Sequence, residues 1–483
     1  MMSSAQASDA IASVPALAEQ AFSRAAGAPL VPGNRIRLLK DARENYPPWL
    51  DAIAGAKRFI HFESYIIHDD AVGDHFSDAL IARARDGVPV RVIYDWMGGF
   101  GKTSRRFWRR LRVGGVEVRR YNAPSLASPL GWLSRDHRKM LAVDGTVGFV
   151  SGLCVGQAWI GDAGRNIAPW RDTGVEVRGS AVRQIDVAFA QMWALMGAPI
   201  PDDGTSSADP IAPAGETSLR IVATVPNTAG LLRISQLVAA LARERLWLTD
   251  AYYAGTPLYA QSLRAAARDG VDVRLLVPSG TDIPLLRPLS KAGYRTLLEA
   301  GVRVFEWNGT MLHAKTGVAD GRWARVGSTN LNPASWLGNC ELDVLVEDER
   351  FGRQMEEMYV EDLANATEII LDERSRVRRR DDGPEPATSG GGGSAGRAAA
   401  GLLRIGNTVG AAVISRRTLE PVETRIMLVV SIVLLILGAL VAIFPRLIAY
   451  PFAALAVSTA GALMYRCFRW RLAAKRKKRS TGD

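Results

Sequence analysis

Two stretches of this chain hold a histidine, a lysine and an aspartate at one spacing. His137-Arg138-Lys139 is followed after four residues by Asp144, and His313-Ala314-Lys315 after four residues by Asp320. The second copy runs on to Gly327-Ser328-Thr329-Asn330, where the first has Ser151-Gly152-Leu153-Cys154. Only five histidines exist in the chain, so two matches to His-x-Lys-x4-Asp are not a product of composition. A neutral imidazole is a nucleophile and a protonated one is a general acid near neutral pH, so two histidines brought together divide those jobs. The lysines Lys139 and Lys315 supply compact positive charge for phosphate oxygens that gain charge in a transition state. Ser328 and Asn330 are short donors suited to the same oxygens. The set is one for phosphoryl transfer.

The elements that carry these residues alternate strand and helix. Residues 58–67 are β-branched and aromatic and predict a strand, 74–85 have helical apolar spacing, and 88–94 return to strand. Strand, crossover helix and strand imply a parallel sheet covered by helices. Val116-Glu117-Val118 predicts a further strand, and Lys139 to Val150 a hairpin turning at Asp144-Gly145. The same order then recurs. Ala84-Arg-Asp-Gly-Val-Pro-Val-Arg-Val92 is echoed by Ala267-Arg-Asp-Gly-Val-Asp-Val-Arg-Leu275, and Gly115-Val116 by Gly301-Val302, at offsets close to that of the two histidines. One whole domain is duplicated, unlike the short periods of a solenoid.

The expected organisation is an N-terminal arm over 1–34, a first half over 35–200, a linker over 201–216 rich in Pro and Gly, and a second half over 217–371. A glycine-rich linker follows at 372–396, containing Gly390-Gly-Gly-Gly-Ser394, and then a juxtamembrane segment at 397–425. In that segment Leu402, Ile405, Val409 and Val413 recur at helical spacing, as a membrane-surface helix or a loosely packed linker. Ile426 to Phe444 and Leu447 to Tyr465 carry no charge, and each approaches the roughly 20 residues that cross a bilayer as helix. Joined by Pro445-Arg446, they predict a transmembrane hairpin over 426–465. The net charge of +11 suggests nucleic acid, but eight of the lysines and arginines lie in the tail from Arg466 to Asp483. Basic residues at both outer ends of the hairpin (Arg416, Arg417, Arg425 and the tail) place both ends in the cytoplasm, where the tail meets anionic headgroups.

The three cysteines, Cys154, Cys340 and Cys467, suit neither a disulfide framework nor a thiolate zinc site and point to a reducing compartment. His61, His68 and His75 recur at a constant interval, but no set of acids or thiols accompanies them. They read as structural or surface histidines, and no metal or other cofactor is expected. Residues 1–27 lack a basic n-region and a long apolar run, and so do not read as a secretory signal.

On the doubled motif the chain resembles the phospholipase D superfamily, and within it the bacterial cardiolipin synthases. Similar segments include Glu63-Ser-Tyr65, Ser134-Arg-Asp-His-Arg-Lys139, Trp170-Arg-Asp-Thr173, Ala266 to Arg274 and Met311-Leu-His-Ala-Lys315. The resemblance covers about Arg35 to Leu371. It implies an α/β fold of two duplicated phospholipase D-like halves about a pseudo-twofold axis, each giving one motif to a single cleft. It also implies a metal-free, two-step reaction through a phosphohistidine, with His137 as nucleophile, His313 as acid and base, and Lys139 and Lys315 on the phosphate. Asp172 and Glu341 match the family's histidine-orienting acids, while Asp144 and Asp320 are expected to brace the hairpins. The first copy departs from the pattern at Ser151, Gly152 and Cys154, so the cleft should be asymmetric, and Cys154 as a nucleophile has no visible activating base.

The leading expectation is a cardiolipin synthase of the bacterial inner membrane, making cardiolipin and glycerol from two molecules of phosphatidylglycerol, with anionic phospholipid as partner and no nucleic acid. The alternatives are a hydrolase releasing phosphatidic acid, a nuclease of the superfamily, and a non-catalytic membrane scaffold. The intact motifs oppose the scaffold. The bilayer hairpin opposes the nuclease. Donor, acceptor and oligomeric state are not legible.

Overall fold

The computed structural model describes residues 19–124, 133–201, 211–280, 293–372 and 376–380, with isolated positions between 435 and 464. The first residues of the arm, most of the 201–216 linker, the glycine-rich linker from 381, the juxtamembrane segment and the basic tail lie outside the described residues. So does nearly all of the 426–465 hairpin. Its described positions, among them Leu435, Ile443, Tyr450, Val457 and Met464, are helical with exposed side chains. Among the described residues no helix is long and apolar enough to cross a membrane.

Among the described residues sixteen strands form one mixed sheet. In the first half they are β1 (Val31–Lys40), β2 (Ile60–Ser64), β3 (Val90–Asp95), β4 (Glu117–Tyr121), β5 (Lys139–Val143), β6 (Val147–Ser151) and β7 (Thr173–Arg178). The second half adds β8 (Thr217–Thr224), β9 (Arg245–Thr249), β10 (Asp272–Pro278), β11 (Arg303–Trp307), β12 (Thr316–Ala319), β13 (Trp323–Gly327) and β14 (Glu341–Glu347), with β15 (Ala366–Leu371) and β16 (Val377–Arg379) beyond. From the outer edge inward the first half reads β4-β3-β2-β5-β6-β7-β1 and the second β11-β10-β9-β12-β13-β14-β8. The duplication inferred from sequence is thus a duplication of topology. The halves join where β1 and β8 pair antiparallel, with Val31 opposite Leu219.

The strand-helix-strand unit pairs parallel, and the hairpin at Lys139 to Val150 antiparallel, as the sequence implied. Only β2-β3-β4 and β9-β10-β11 are parallel. Each motif hairpin needs no crossover, so β5-β6 and β12-β13 add antiparallel pairs beside them. In both hairpins the turn residues, Asp144-Gly145 and Asp320-Gly321, take positive φ, the backbone that matches the twist of the flanking strands.

Helices cover both faces. Helix Asp41–Ala54 and helix Ala71–Arg85 bury Tyr46, Trp49, Phe76 and Leu80 on one side of the first half, and helix Val182–Leu195 buries Ile185, Phe189 and Trp193 on the other. Strand β1 begins before residue 35, and residues 19–26 of the arm are helical and pack on the second half. There Phe22 lies against the Arg220 guanidinium, 5.7 Å from ring centre to Cζ, and Glu19 pairs with it. Arg220 is fully buried, whereas Arg37, its counterpart on β1, has a side chain 58% exposed.

Candidate active site

Each motif begins where its strand emerges from a bridge to the other half. The His137 N–H donates to the Cys340 carbonyl (2.9 Å) and the Cys340 N–H to the Arg135 carbonyl (2.8 Å). In the second copy the His313 N–H donates to the Arg171 carbonyl (2.7 Å) and the Arg171 N–H to the Met311 carbonyl (2.8 Å). These short bridges place Glu341 beside His137 and Asp172 beside His313. His137 Nδ1 lies 2.9 Å from Glu341 Oε2, and His313 Nδ1 lies 2.7 Å from Asp172 Oδ2. Each motif histidine is therefore oriented by a carboxylate from the opposite half. An ionised carboxylate only accepts, so Nδ1 carries the proton in both rings and Nε2 is left for chemistry.

The lysines follow two residues later on the same side of each strand. Lys139 Nζ bonds the His137 carbonyl, and Lys315 Nζ the His313 carbonyl. Tyr65 at the end of β2 stands 5.0 Å from the His137 ring and 5.2 Å from Lys139 Nζ. Tyr252 after β9 repeats the arrangement at 6.0 Å and 5.9 Å. Electrostatics also crosses between copies: Lys315 acts on His137, and Lys139 acts on His313. The two motifs form one site.

A model of the family described as cardiolipin synthase, PLD-like domain, matches residues 49–193 and 237–363, one segment around each histidine. The chain belongs to this family. Cardiolipin synthase A of Pseudomonas aeruginosa is 34% identical to it over 370 residues, spanning 74% of this chain and 73% of that protein. The cardiolipin synthase of Alkalihalophilus pseudofirmus is 31% identical over 348 residues, spanning 71% and 68%. The crystal structure of phosphatidylserine synthase from Haemophilus influenzae superposes with a TM-score of 0.58 at 13% identity over 73% of this chain and 92% of that one, a likeness of fold.

Within this family member the environment of each histidine is dry. Burial pushes His137 down to about 4, against the opposing charge of Glu341, and burial together with Lys315 also lowers His313. Burial alone would raise Asp172, but the bonded His313 and nearby Lys315 hold it down at about 2. Glu341 is lowered in the same way by His137, and burial brings Lys315 down to about 8. Ionised carboxylates and neutral imidazoles are the resting state this environment favours.

The remaining predicted residues fall in two groups. Asp144 and Asp320 are not brought to the histidines, since each closes its hairpin at the far end of the strand. Asp144 accepts from the N–H groups of Lys57, Arg58 and Phe59 (2.9, 2.7 and 3.0 Å), and Asp320 from those of Arg243, Glu244 and Arg245 (2.9, 2.9 and 2.8 Å). They brace the turn against the start of β2 or β9. Ser328 is near the site but already engaged. Its Oγ donates to Glu341 Oε2 (2.6 Å) and accepts from the Leu342 N–H (2.9 Å). Asn330 is 3% exposed, and its side-chain carbonyl oxygen has no partner among the described residues.

The asymmetry expected from Gly152 has a physical cause. A Cβ there would fall 2.1 Å from Asp172 Oδ1, so a serine cannot occupy this position. The missing donor is replaced by Trp159, whose Nε1 donates to Asp172 Oδ2 at 2.9 Å. Trp159 and Trp170 each stand 5.6 Å from the His313 ring, whereas among the described residues the ring recorded beside His137 is that of Tyr65. Nothing in the sequence marks Trp159, because it lies outside the motif's aligned positions. Arg138, the middle residue of the first motif, carries no signal of its own either. It is buried and donates to the carbonyls of Glu341 (3.2 Å), Ala188 (3.0 Å) and Thr224 (3.0 Å), a clamp between the halves. Arg171 adds a second clamp through its two-pronged pair with Asp362, both contacts 2.8 Å. Cys154 is buried, and its thiol is pushed up by burial, which opposes a thiolate role. His61 lies between Phe59 and Phe189 with Nδ1 3.1 Å from Asp186, inside the core.

Proposed function

We propose that this chain is a membrane-bound phosphatidyltransferase that forms cardiolipin and glycerol from two molecules of phosphatidylglycerol. The observation that carries the reading is the reciprocal pairing of His137 with Glu341 and His313 with Asp172, in a chain of the cardiolipin synthase family. In the first step, taken by the form in which His313 has bound a proton at Nε2, His137 Nε2 attacks phosphorus, the bond from phosphorus to the headgroup oxygen breaks, and His313 gives that oxygen its proton, releasing glycerol. In the second, His313 takes the proton of an acceptor phosphatidylglycerol hydroxyl, and that oxygen displaces His137. The depression of His137 supports the nucleophile's role, because only the neutral ring attacks. Lys139, Lys315 and Asn330 bind the phosphate oxygens. Ser328 differs from its expected part, since its proton is held by Glu341, and it acts as a positioning residue.

The two uncharged runs, with helical exposed positions at Leu435, Ile443, Tyr450, Val457 and Met464, support a transmembrane hairpin over 426–465. The basic residues outside both ends support a cytoplasmic catalytic body at the bacterial inner membrane. An acid-quenched reaction with labelled phosphatidylglycerol tests the assignment. Labelled lipid should stay on the protein in His313→Ala and be absent from His137→Ala; an adduct in His137→Ala alone reverses the two roles.

A further inference from the structure

Helix Arg105–Val113 reads Arg-Arg-Phe-Trp-Arg-Arg-Leu-Arg-Val and follows β3. Phe107, Trp108 and Leu111 are buried, while Arg105, Arg106, Arg109, Arg112 and Val113 are exposed, Val113 by 82%. Arg110 is neutralised by Asp74 and Asp78, and Arg112 lies at the Tyr94 hydroxyl. Among the described residues Arg105, Arg106 and Arg109 form no ion pair. The helix after β10 in the other half, Tyr294–Leu298, has a single arginine, Arg295, and it pairs with Glu299 at 2.7 Å.

The segment leading into the arginine helix is fastened to the site. Asp95 at the end of β3 accepts from the Gly98 N–H (2.7 Å) and from the N–H of Asp136 (2.9 Å), the residue before His137. Gly98 sits so close to the Tyr65 carbonyl that a Cβ would lie 2.3 Å from its oxygen, and Thr103 Oγ1 bonds the Ile67 carbonyl. Tyr65 in turn stands over His137 and Lys139. On the same segment Phe100 is 54% exposed, beside Trp96 at 5.4 Å.

We infer that helix Arg105–Val113 and Phe100 together form a docking surface for an anionic bilayer, which holds the His137 side of the site against the lipid that carries its phosphodiester. Unpaired arginines meet negative headgroups, and Phe100 and Val113 reach the boundary with the acyl chains, a combination that suits a membrane surface. The inference rests on the reading that the substrate is a lipid. It adds a contact made by the catalytic body itself.

The test uses the full chain with Cys467→Ser, which leaves the buried Cys154 and Cys340, and Phe100→Cys carrying an environment-sensitive fluorophore. The protein is reconstituted into phosphatidylcholine vesicles with or without phosphatidylglycerol. The label should shift to the blue and be quenched by spin-labelled lipid only when phosphatidylglycerol is present, and the response should fade as salt is raised. Arg105→Ala/Arg106→Ala/Arg109→Ala should weaken docking about 100-fold, near 5-fold for each arginine. A label at Val113→Cys repeats the measurement at the far end of the helix. The same response in neutral vesicles, or an unchanged response in the triple variant, overturns the proposal. Displacement from the vesicles by an oligonucleotide that binds the helix more tightly overturns it in favour of nucleic acid. Running the label in a His137→Ala background removes turnover, so a failed docking result stays distinct from a failed lipid-transfer result.

Discussion

Replacing Asp172 with Asn should do more than slow the reaction: it should move its pH dependence. Asp172 is fully buried, 2.7 Å from His313 Nδ1, and held at about 2 against an ordinary 3.8. At 1.36 kcal/mol per pKa interval, that gap corresponds to about 2.5 kcal/mol of coupling between the carboxylate and its surroundings, with His313 the largest favourable contributor. Neutralising the carboxylate removes its favourable share of that interaction from the His313 imidazolium, the form that protonates the leaving alcohol. The pKa of His313, already lowered by burial and Lys315, falls further. The assay is kcat/KM against pH on detergent-dispersed phosphatidylglycerol. In Asp172→Asn the alkaline limb should move toward acid, with a loss of roughly 50-fold at neutral pH that shrinks as the pH is lowered and His313 regains its proton. Glu341→Gln, acting on the ring that must stay neutral, should lower the rate without moving that limb. A uniform loss across pH in Asp172→Asn would refute the reasoning, and a shifted limb in Glu341→Gln alone would exchange the roles of the histidines.

Trp159→Phe keeps the ring beside His313 but removes the donor to Asp172, leaving that carboxylate more basic. The rate should fall about 10-fold, and the alkaline limb should move toward base, opposite to Asp172→Asn. Asp144→Ala and Asp320→Ala each release three backbone N–H groups and should cost roughly 2–4 kcal/mol by denaturant unfolding while kcat stays within about 3-fold of the parent. Burial raises Asp95 to about 7, raises Asp136 and Asp343 to about 6, and pushes Glu63 well up. The folded state therefore binds protons there that the unfolded chain has released, so stability should rise as the pH falls from 7.5 to 6.5. Lys315 is largely protonated below about 8, and the two lowered histidines, which the unfolded chain protonates around 6.5, offset part of the gain across this window. A melting temperature about 2–4 °C higher at pH 6.5, read by calorimetry, is the expected result.

The reactive residues are legible in the sequence because their spacing is local. His and Lys two apart lie on one side of a strand, and Asp five further on reaches the turn, so the order of residues alone places His137, Lys139 and Asp144 on a hairpin. The pairing of strands is legible only in part, because Val116-Glu117-Val118 and Lys139 to Val143 look alike in sequence while one pairs parallel and the other antiparallel. Asp172 and Glu341 are legible as orienting acids only through the family resemblance, and the pairing of each with the histidine of the other half is not. Asp172 reaches His313, and Glu341 reaches His137, only because two short backbone bridges carry them over. Local spacing holds no record of such a bridge. Gly152 reads as the loss of a phosphate ligand, yet it is the space that lets Asp172 approach, with Trp159 supplying the donor. Ser328 reads as a phosphate donor, and its proton proves to belong to Glu341. Arg138, at the unspecified middle position of the motif, binds three carbonyls, that of Ala188 in its own half and those of Thr224 and Glu341 in the other.

The most direct measurement is the product of the purified protein acting on phosphatidylglycerol labelled in both its acyl chains and its headgroup glycerol. The account predicts labelled cardiolipin with free glycerol released in equal amount, and neither product from His137→Ala or His313→Ala. Phosphatidic acid without cardiolipin would contradict it, since water rather than a second lipid would then be the group that displaces His137.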